Sequence, residues 1–206
     1  MESLKRKEHW EHIYTTKNQN EVSWYQPVPQ ASLDFIRDAN LPKDAKIIDV
    51  GGGDSLLADY LMDLGYTDIS VLDIAAPSLE KAVKRLGKNA EKIKWIIADV
   101  TTFQPSEIYD LWHDRAAFHF LNDEKQIESY VQTVNKSLSE NGKMVIATFS
   151  IDGPKKCSGI EVKQYNELSL NNVFSGFFQK EKFEYIDHET PNGQIQNFLF
   201  CRFSKI

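Results

Sequence analysis

Ile47-Ile48-Asp49-Val50-Gly51-Gly52-Gly53-Asp54-Ser55 is the stretch from which the rest of the chain can be read. An apolar run reaches three glycines, and Leu56, Leu57, Tyr60, Leu61 and Leu64 follow at helical spacing. The pattern predicts a buried strand, a tight turn and an amphipathic helix. Glycines permit the sharp turn and let a ligand lie against the backbone with no Cβ in the way. The helix start adds free backbone N–H groups and a partial positive end. Such a turn is built to hold a small molecule; the plain alternative is a glycine-rich turn in an α/β protein with no ligand.

The charges narrow the ligand. A dinucleotide turn reads Gly-x-Gly-x-x-Gly, and here its third position is Leu56. Asp49 and Asp54 flank the glycines. A carboxylate beside a pyrophosphate costs free energy by like-charge repulsion. The same carboxylates suit a ligand carrying an ammonium or a sulfonium. Here the stretch resembles the first motif of the class I methyltransferases, with an acid at the end of the first strand and a Gly-x-Gly turn after it. Ser55 stands where that family often has a third glycine. The resemblance implies S-adenosylmethionine as cofactor, with Asp49, Gly51, Gly52 and Gly53 among its contacts.

Working outward, the downstream strands carry acids too. Residues 68–73 predict a second strand ending in Asp73, followed by Ile74. Asp73 lies about 20 positions beyond Gly51, the spacing at which an acid meets ribose hydroxyls in doubly wound folds. Residues 93–100 predict a third strand, again ending in an acid. By resemblance, Asp99 accepts from the adenine amine and Val100 packs on the ring. Three strand ends carrying Asp49, Asp73 and Asp99 in register are expected to line the edge where open parallel sheets bind ligands.

Residues 109–115 predict the fourth strand and its exit, with His113, Asp114 and Arg115 at its end and His119 just beyond. Either histidine could be a base or a substrate contact; the bland reading is a satisfied structural histidine. Asp114 and Arg115 either shape the cofactor pocket or pair with each other, and Arg115 could meet the methionine carboxylate. Cys157, beside Lys155 and Lys156, could have a lowered thiol pKa or be plainly buried. Methyl transfer is a displacement at an already activated methyl, so the protein mainly positions the nucleophile and excludes water. A general base is optional. This explains a clear cofactor motif beside a vague catalytic one.

Upstream, Trp10, Ile13 and Tyr14 share a helix face, and Trp24 and Tyr25 sit in a proline-bounded loop. The two loop aromatics either form a lid, bringing Trp24 over the cofactor, or plug the core. A helix is expected over residues 30–39, and others over 78–86 and 123–138. After a turn at Asn141-Gly142 and a fifth strand over 143–149, the rhythm changes. A polar loop leads to a helix over 161–171, and strands over 182–190 and 196–203 joined by Pro191-Asn192-Gly193 read as an antiparallel hairpin. The whole predicts an α/β fold: a doubly wound, mostly parallel seven-stranded sheet with a C-terminal antiparallel hairpin. That is the shape of the class I methyltransferase fold, and segments 10–25 and 113–121 also resemble small bacterial members of the family. Residues 1–206 are expected to form one domain, with 1–29 as helix and lid and 152–171 on the substrate side.

Composition sets bounds. The chain has 206 residues, 41% hydrophobic and 26% charged, ordinary for a globular protein. A net charge of −6 argues against a general nucleic-acid binder. Lys5-Arg6-Lys7, the dense basic run, reads as a solvated helix face. No signal peptide or membrane-spanning run is visible, and two cysteines are too few for a disulfide framework or a cysteine zinc site. The expectation is a cytoplasmic enzyme with a small-molecule acceptor and no metal, nucleic-acid or membrane partner. The competing readings are a protein side-chain methyltransferase, a nicotinamide-dependent oxidoreductase and a binding module that kept the fold and lost the chemistry. The Asn- or Asp-Pro-Pro-aromatic pattern of base amino methylation is absent, since the place reads His113-Asp114-Arg115-Ala116.

Overall fold

In a computed structural model describing residues 3–206, strand β1 (Lys46–Val50) lies at the centre of the sheet. Its Ile47 and Ile48 are fully buried, one on each face, as expected for a central parallel strand. On one side it pairs in parallel with β2 (Asp68–Asp73), which pairs with β3 (Ile93–Ile97). On the other it pairs with β4 (Tyr109–Arg115), which pairs with β5 (Leu138–Phe149). A short two-stranded piece follows, β6 (Lys156–Cys157) with β7 (Ile160–Glu161). The long antiparallel strands β8 (Phe178–Glu189) and β9 (Ile195–Lys205) complete the main sheet, in the order β3-β2-β1-β4-β5-β9-β8. This is the expected seven-stranded, mostly parallel sheet with an antiparallel hairpin.

Helices cover both faces. Helices α2 (Gln30–Arg37), α3 (Leu57–Asp63) and α4 (Ala76–Leu86) bury Leu33, Leu61 and Leu79 against Ile47, Ile69 and Leu111. On the other face α5 (Glu124–Ser137) and α6 (Glu167–Phe174) bury Tyr130, Val134 and Phe174 against Ile48, Trp112 and Met144. Helix α1 (Ser3–Thr16) lies against α4 and buries Ile13 and Tyr14. The strand order reverses between β1 and β4, so their carboxyl ends flank the switch point at which doubly wound sheets bind ligands. No helix of the described residues is long and apolar enough to cross a membrane.

Several expectations need correction. The acids are not level: Asp49 pairs with Val71, two residues before Asp73, and Asp73 pairs with Ile97, two before Asp99. They climb like steps from the sheet centre to its edge. The helix expected over 161–171 begins later, because Ser158 and Gly159, both with positive φ, fold Cys157 back onto Ile160. Asn166 then caps α6 by accepting from the Ser169 N–H at 2.8 Å. Strand β8 starts four residues earlier than expected; its charged edge is held by Arg202 donating to Glu181 and Lys182 pairing with Asp38. Lys5-Arg6-Lys7 is not wholly solvated, since Arg6 is buried and ion-paired to Asp99 at 2.7 Å.

Candidate active site

A cleft of about 1210 Å³, part of it open to solvent, lies over the carboxyl ends of the strands beside the switch point. The glycine turn forms its floor. Gly51 has φ +67, and a Cβ there would come 2.6 Å from the Ala117 Cβ. A Cβ on Gly52 would come 2.5 Å from the Asp49 carboxylate and 2.8 Å from Val71. These glycines therefore first make room for the protein's own packing. Gly53 is set back from the cleft, and a side chain there would strike the Tyr14 hydroxyl at 2.7 Å.

The acids divide the work. Asp73 is 5% exposed, and its Oδ1 accepts from the Ala75 N–H at 2.8 Å. Burial, reinforced by the nearby charges of Asp54 and Asp49, pushes its carboxyl up to about 7. Burial likewise raises Asp54. Burial and the charges of Asp73 and Asp54 push the Tyr14 phenol well above its ordinary value, so it faces them as a neutral hydroxyl. Lys81 and Arg85 lower Asp54 from outside, but neither carboxylate forms a salt bridge among the described residues, and two such buried acids favour a ligand that donates hydrogen bonds or carries positive charge. Ile74, Ala98 and Val100 supply apolar lining beside Asp73.

Asp99 reaches the cleft with both oxygens engaged. Its Oδ1 accepts from the Thr101 N–H and hydroxyl at 3.0 and 2.8 Å, and its Oδ2 accepts from Ser3 and Arg6 at 2.5 and 2.7 Å. Burial opposes its charge, but the bonds from Ser3, Thr101 and Arg6 outweigh burial and hold the carboxyl below its usual range. An adenine amine there would share Asp99 with helix α1. Nothing in the run Lys5-Arg6-Lys7 marks its middle residue as the buried one.

Asp114 departs from both readings weighed for it, whereas His119 and Cys157 take the plain structural alternative. Asp114 is fully buried and turned away from the cleft. It accepts from the Tyr130 hydroxyl at 2.6 Å and from the Ala117 and Phe118 N–H groups at 3.0 and 3.1 Å, closing the turn after β4. Burial raises it to about 6 despite those donors. It is not a cofactor contact, and it does not pair with Arg115, because successive strand residues face opposite sides. His119 is fully buried between the Phe120 and Phe149 rings, both 4.6 Å away, and does not line the cleft. Its Nδ1 accepts from the Phe149 N–H at 3.2 Å, and burial lowers it to about 3. It is a neutral core histidine and too weak a base to serve. Cys157 lines the cleft, but burial raises its thiol, contrary to the activated reading.

His113 does line the cleft, and both ring nitrogens are occupied. Nδ1 lies 2.7 Å from Asp49 Oδ1 and donates to it, and in the neutral ring Nε2 accepts from the Ser32 hydroxyl at 2.9 Å. Ser32, His113 and Asp49 thus form one buried hydrogen-bonded line. Sequence reasoning missed Ser32, since a lone serine between Ala31 and Leu33 carries no signal. Arg115 donates from Nη1 and Nη2 to the Trp24 carbonyl, both at 3.1 Å, and lies 5.3 Å over the Phe198 ring. Burial brings it down to about 10, so it stays charged at neutral pH. Trp24 and Tyr25 both line the cleft, and Trp24 packs edge-on against Trp10 at 5.7 Å. Trp24 also packs against the buried core, as the plugging reading expects.

Residues 47–142 match a family described as a methyltransferase domain. The chain is 32% identical over 104 residues to a malonyl-[acyl-carrier protein] O-methyltransferase of Anoxybacillus flavithermus, covering 50% of this chain and 38% of that one. It is 23% identical over 140 residues to an eEF1A lysine and N-terminal methyltransferase of Mus musculus, covering 67% of this chain and 20% of that one. The chain thus spans well under half the length of these curated relatives. The fold is similar to that of the N-methyltransferase NodS from Bradyrhizobium japonicum, solved with S-adenosyl-L-homocysteine. That match has a TM-score of 0.69 at 14% identity and covers 98% of each chain. Residues 47–142 thus match the methyltransferase-domain family, and the sheet order and glycine turn give the chain the fold of the solved S-adenosylmethionine-dependent methyltransferases it resembles.

Proposed function

We propose that this chain transfers a methyl group from S-adenosylmethionine to a small-molecule acceptor. The observation that carries the reading is Asp73, a buried acid at a strand end, aimed at a cleft whose floor is a glycine turn. The residues present fit the cofactor. Asp73 would accept from ribose hydroxyls, Asp49 and Asp54 favour positive charge, and Ile74, Ala98 and Val100 would flank the base. Bound there, the sulfonium supplies an activated methyl group.

The chain's own residues do the rest. Trp10, Tyr14 and Trp24 roof the cleft and keep water from the reacting end. Asp49 fixes the His113 ring, and the ring in turn orients the Ser32 hydroxyl. This line can accept a proton from an acceptor group placed beside Ser32, with His113 Nε2 as its resting place. We read residues 1–29 as part of the same single domain, forming the lid. Of the segment 152–171, only Cys157 reaches the cleft, so its substrate-side role narrows to that residue.

A roofed cleft suits a small molecule or one side chain more than an extended polymer. Protein methylation is the second reading, favoured by the relative named for lysine and N-terminal methylation, which matches over two thirds of this chain. Incubating the protein with a cell lysate and methyl-labelled S-adenosylmethionine separates the two. Label in the small-molecule fraction is expected; label confined to a discrete protein band would overturn the small-molecule reading.

A further inference from the structure

Arg115 is the one cleft-lining guanidinium on the β4–β9 side, and among the described residues no carboxylate lies within ion-pairing distance of it. Its protein partners are the neutral Trp24 carbonyl and the Phe198 face. Arg6, the other arginine lining the cleft, is already neutralised by Asp99. Arg115 is part-buried and the charge of Asp49 reaches it, but no carboxylate completes its fork, and a partly desolvated guanidinium left without a paired anion is suited to hold one. Its planar fork suits a carboxylate.

The position of the charge matters as much as its lack of a partner. Asp49, Asp73 and Asp99 stand at the ends of β1, β2 and β3, on one side of the switch point. Arg115 ends β4 and reaches toward Phe198 on β9, on the other side. Between the halves, Trp10, Trp24 and Phe120 pack edge-on at 5.7 and 5.0 Å. These rings offer flat apolar walls next to the cation. The acids repel an anion from one half, and Arg115 attracts it to the other.

We infer that the acceptor is a small organic acid with a flat apolar body, its acid group held by Arg115 and its rings or chain packed against the cleft-facing sides of Trp10, Trp24 and Phe120. This rests on the methyltransferase reading and names the substrate class of that same cleft. The bound acid group fixes the orientation of the molecule, and its reacting atom then lies toward Ser32 and the switch point. The anion could also be the amino-acid carboxylate of the cofactor itself, and the test separates the two sources.

Aromatic carboxylic acids such as benzoate and phenylacetate would be titrated against their neutral amides, with the protein saturated with S-adenosylhomocysteine. The acids are expected to bind at least about tenfold tighter than the matched amides. Arg115→Gln should remove that preference while changing the S-adenosylhomocysteine dissociation constant less than threefold. Arg115→Lys, which keeps the charge and loses the fork, should keep the preference at reduced strength, and it decides the matter if the Gln variant does not fold. Equal binding of acids and amides by the native protein, or a full preference in either variant, overturns the inference. So does a tenfold loss of S-adenosylhomocysteine affinity in Arg115→Gln with 5′-methylthioadenosine, which lacks the carboxylate, unaffected; Arg115 then holds the cofactor. If the native protein binds no S-adenosylhomocysteine, the methyltransferase reading fails, and the acid–amide comparison repeated without it still decides whether Arg115 is an anion site.

Discussion

The two halves of the cleft differ in charge and in how the chain assembles them. The β1–β3 half is acidic, and its Asp49, Asp73 and Asp99 come from consecutive strand ends within one stretch of chain. The β4–β9 half is built around Arg115, with Trp24 from the loop before α2, Cys157 from β6 and Phe198 from β9. The first half is a local product of strand–turn–helix units. The second exists only once the antiparallel hairpin has closed the sheet. Such a division lets one sequence module keep a common ligand while distant segments vary the other end.

If the acidic half holds a ribose, Asp73→Ala should weaken S-adenosylhomocysteine binding by about 1.5–3 kcal/mol, the scale of hydrogen bonds to a charged group. Acid probes at the Arg115 end should bind as before. Calorimetry reads both, and a loss at both ends would mean that the halves are not independent.

The same residue has a pH signature. Its folded pKa is raised to about 7, against about 4 in an unfolded chain. Its contribution to stability is therefore fully present below about pH 4 and lost as pH rises through about 7. A ligand donating hydrogen bonds to the carboxylate lowers that pKa, so binding near pH 6 should release close to one proton. Titrations in buffers of different ionisation enthalpy measure this, and release should vanish in Asp73→Ala.

Next in size is Tyr130→Phe. It strips one of three donors from the buried Asp114 and should cost about 1–2 kcal/mol of stability by denaturant unfolding. S-adenosylhomocysteine affinity should not change, because Asp114 supports the turn after β4 and does not face the cleft. A large loss of affinity would return Asp114 to the cofactor half.

The smallest effect is expected for His119→Gln. Stability should fall by about 0.5–1.5 kcal/mol through the bond from the Phe149 N–H, with both ligand affinities kept within twofold. A greater change in affinity would place His119 in the cleft chemistry.

The legibility of the sequence follows the same division. Ile47 to Ser55 and the acids after it were readable because each is decided by neighbours a few residues away: an apolar run, a glycine, a strand end. Arg115 was visible as a residue, but its lack of an acidic partner was not, since that depends on Trp24 and Phe198, far away in sequence. Asp114 and Arg115 looked equivalent side by side, and only the alternation of the strand sent one into the core and the other into the cleft. Arg6 hid in a basic run, and Ser32 in an ordinary amphipathic helix. The glycines read as space for a ligand, whereas Ala117, Asp49 and Tyr14 already fill the positions their side chains would take.

The most direct measurement is calorimetric titration of the native protein with S-adenosylmethionine and, separately, with NAD. One site of micromolar affinity for S-adenosylmethionine and no heat with NAD is the predicted result. Tight NAD binding with no response to the methyl donor would contradict it.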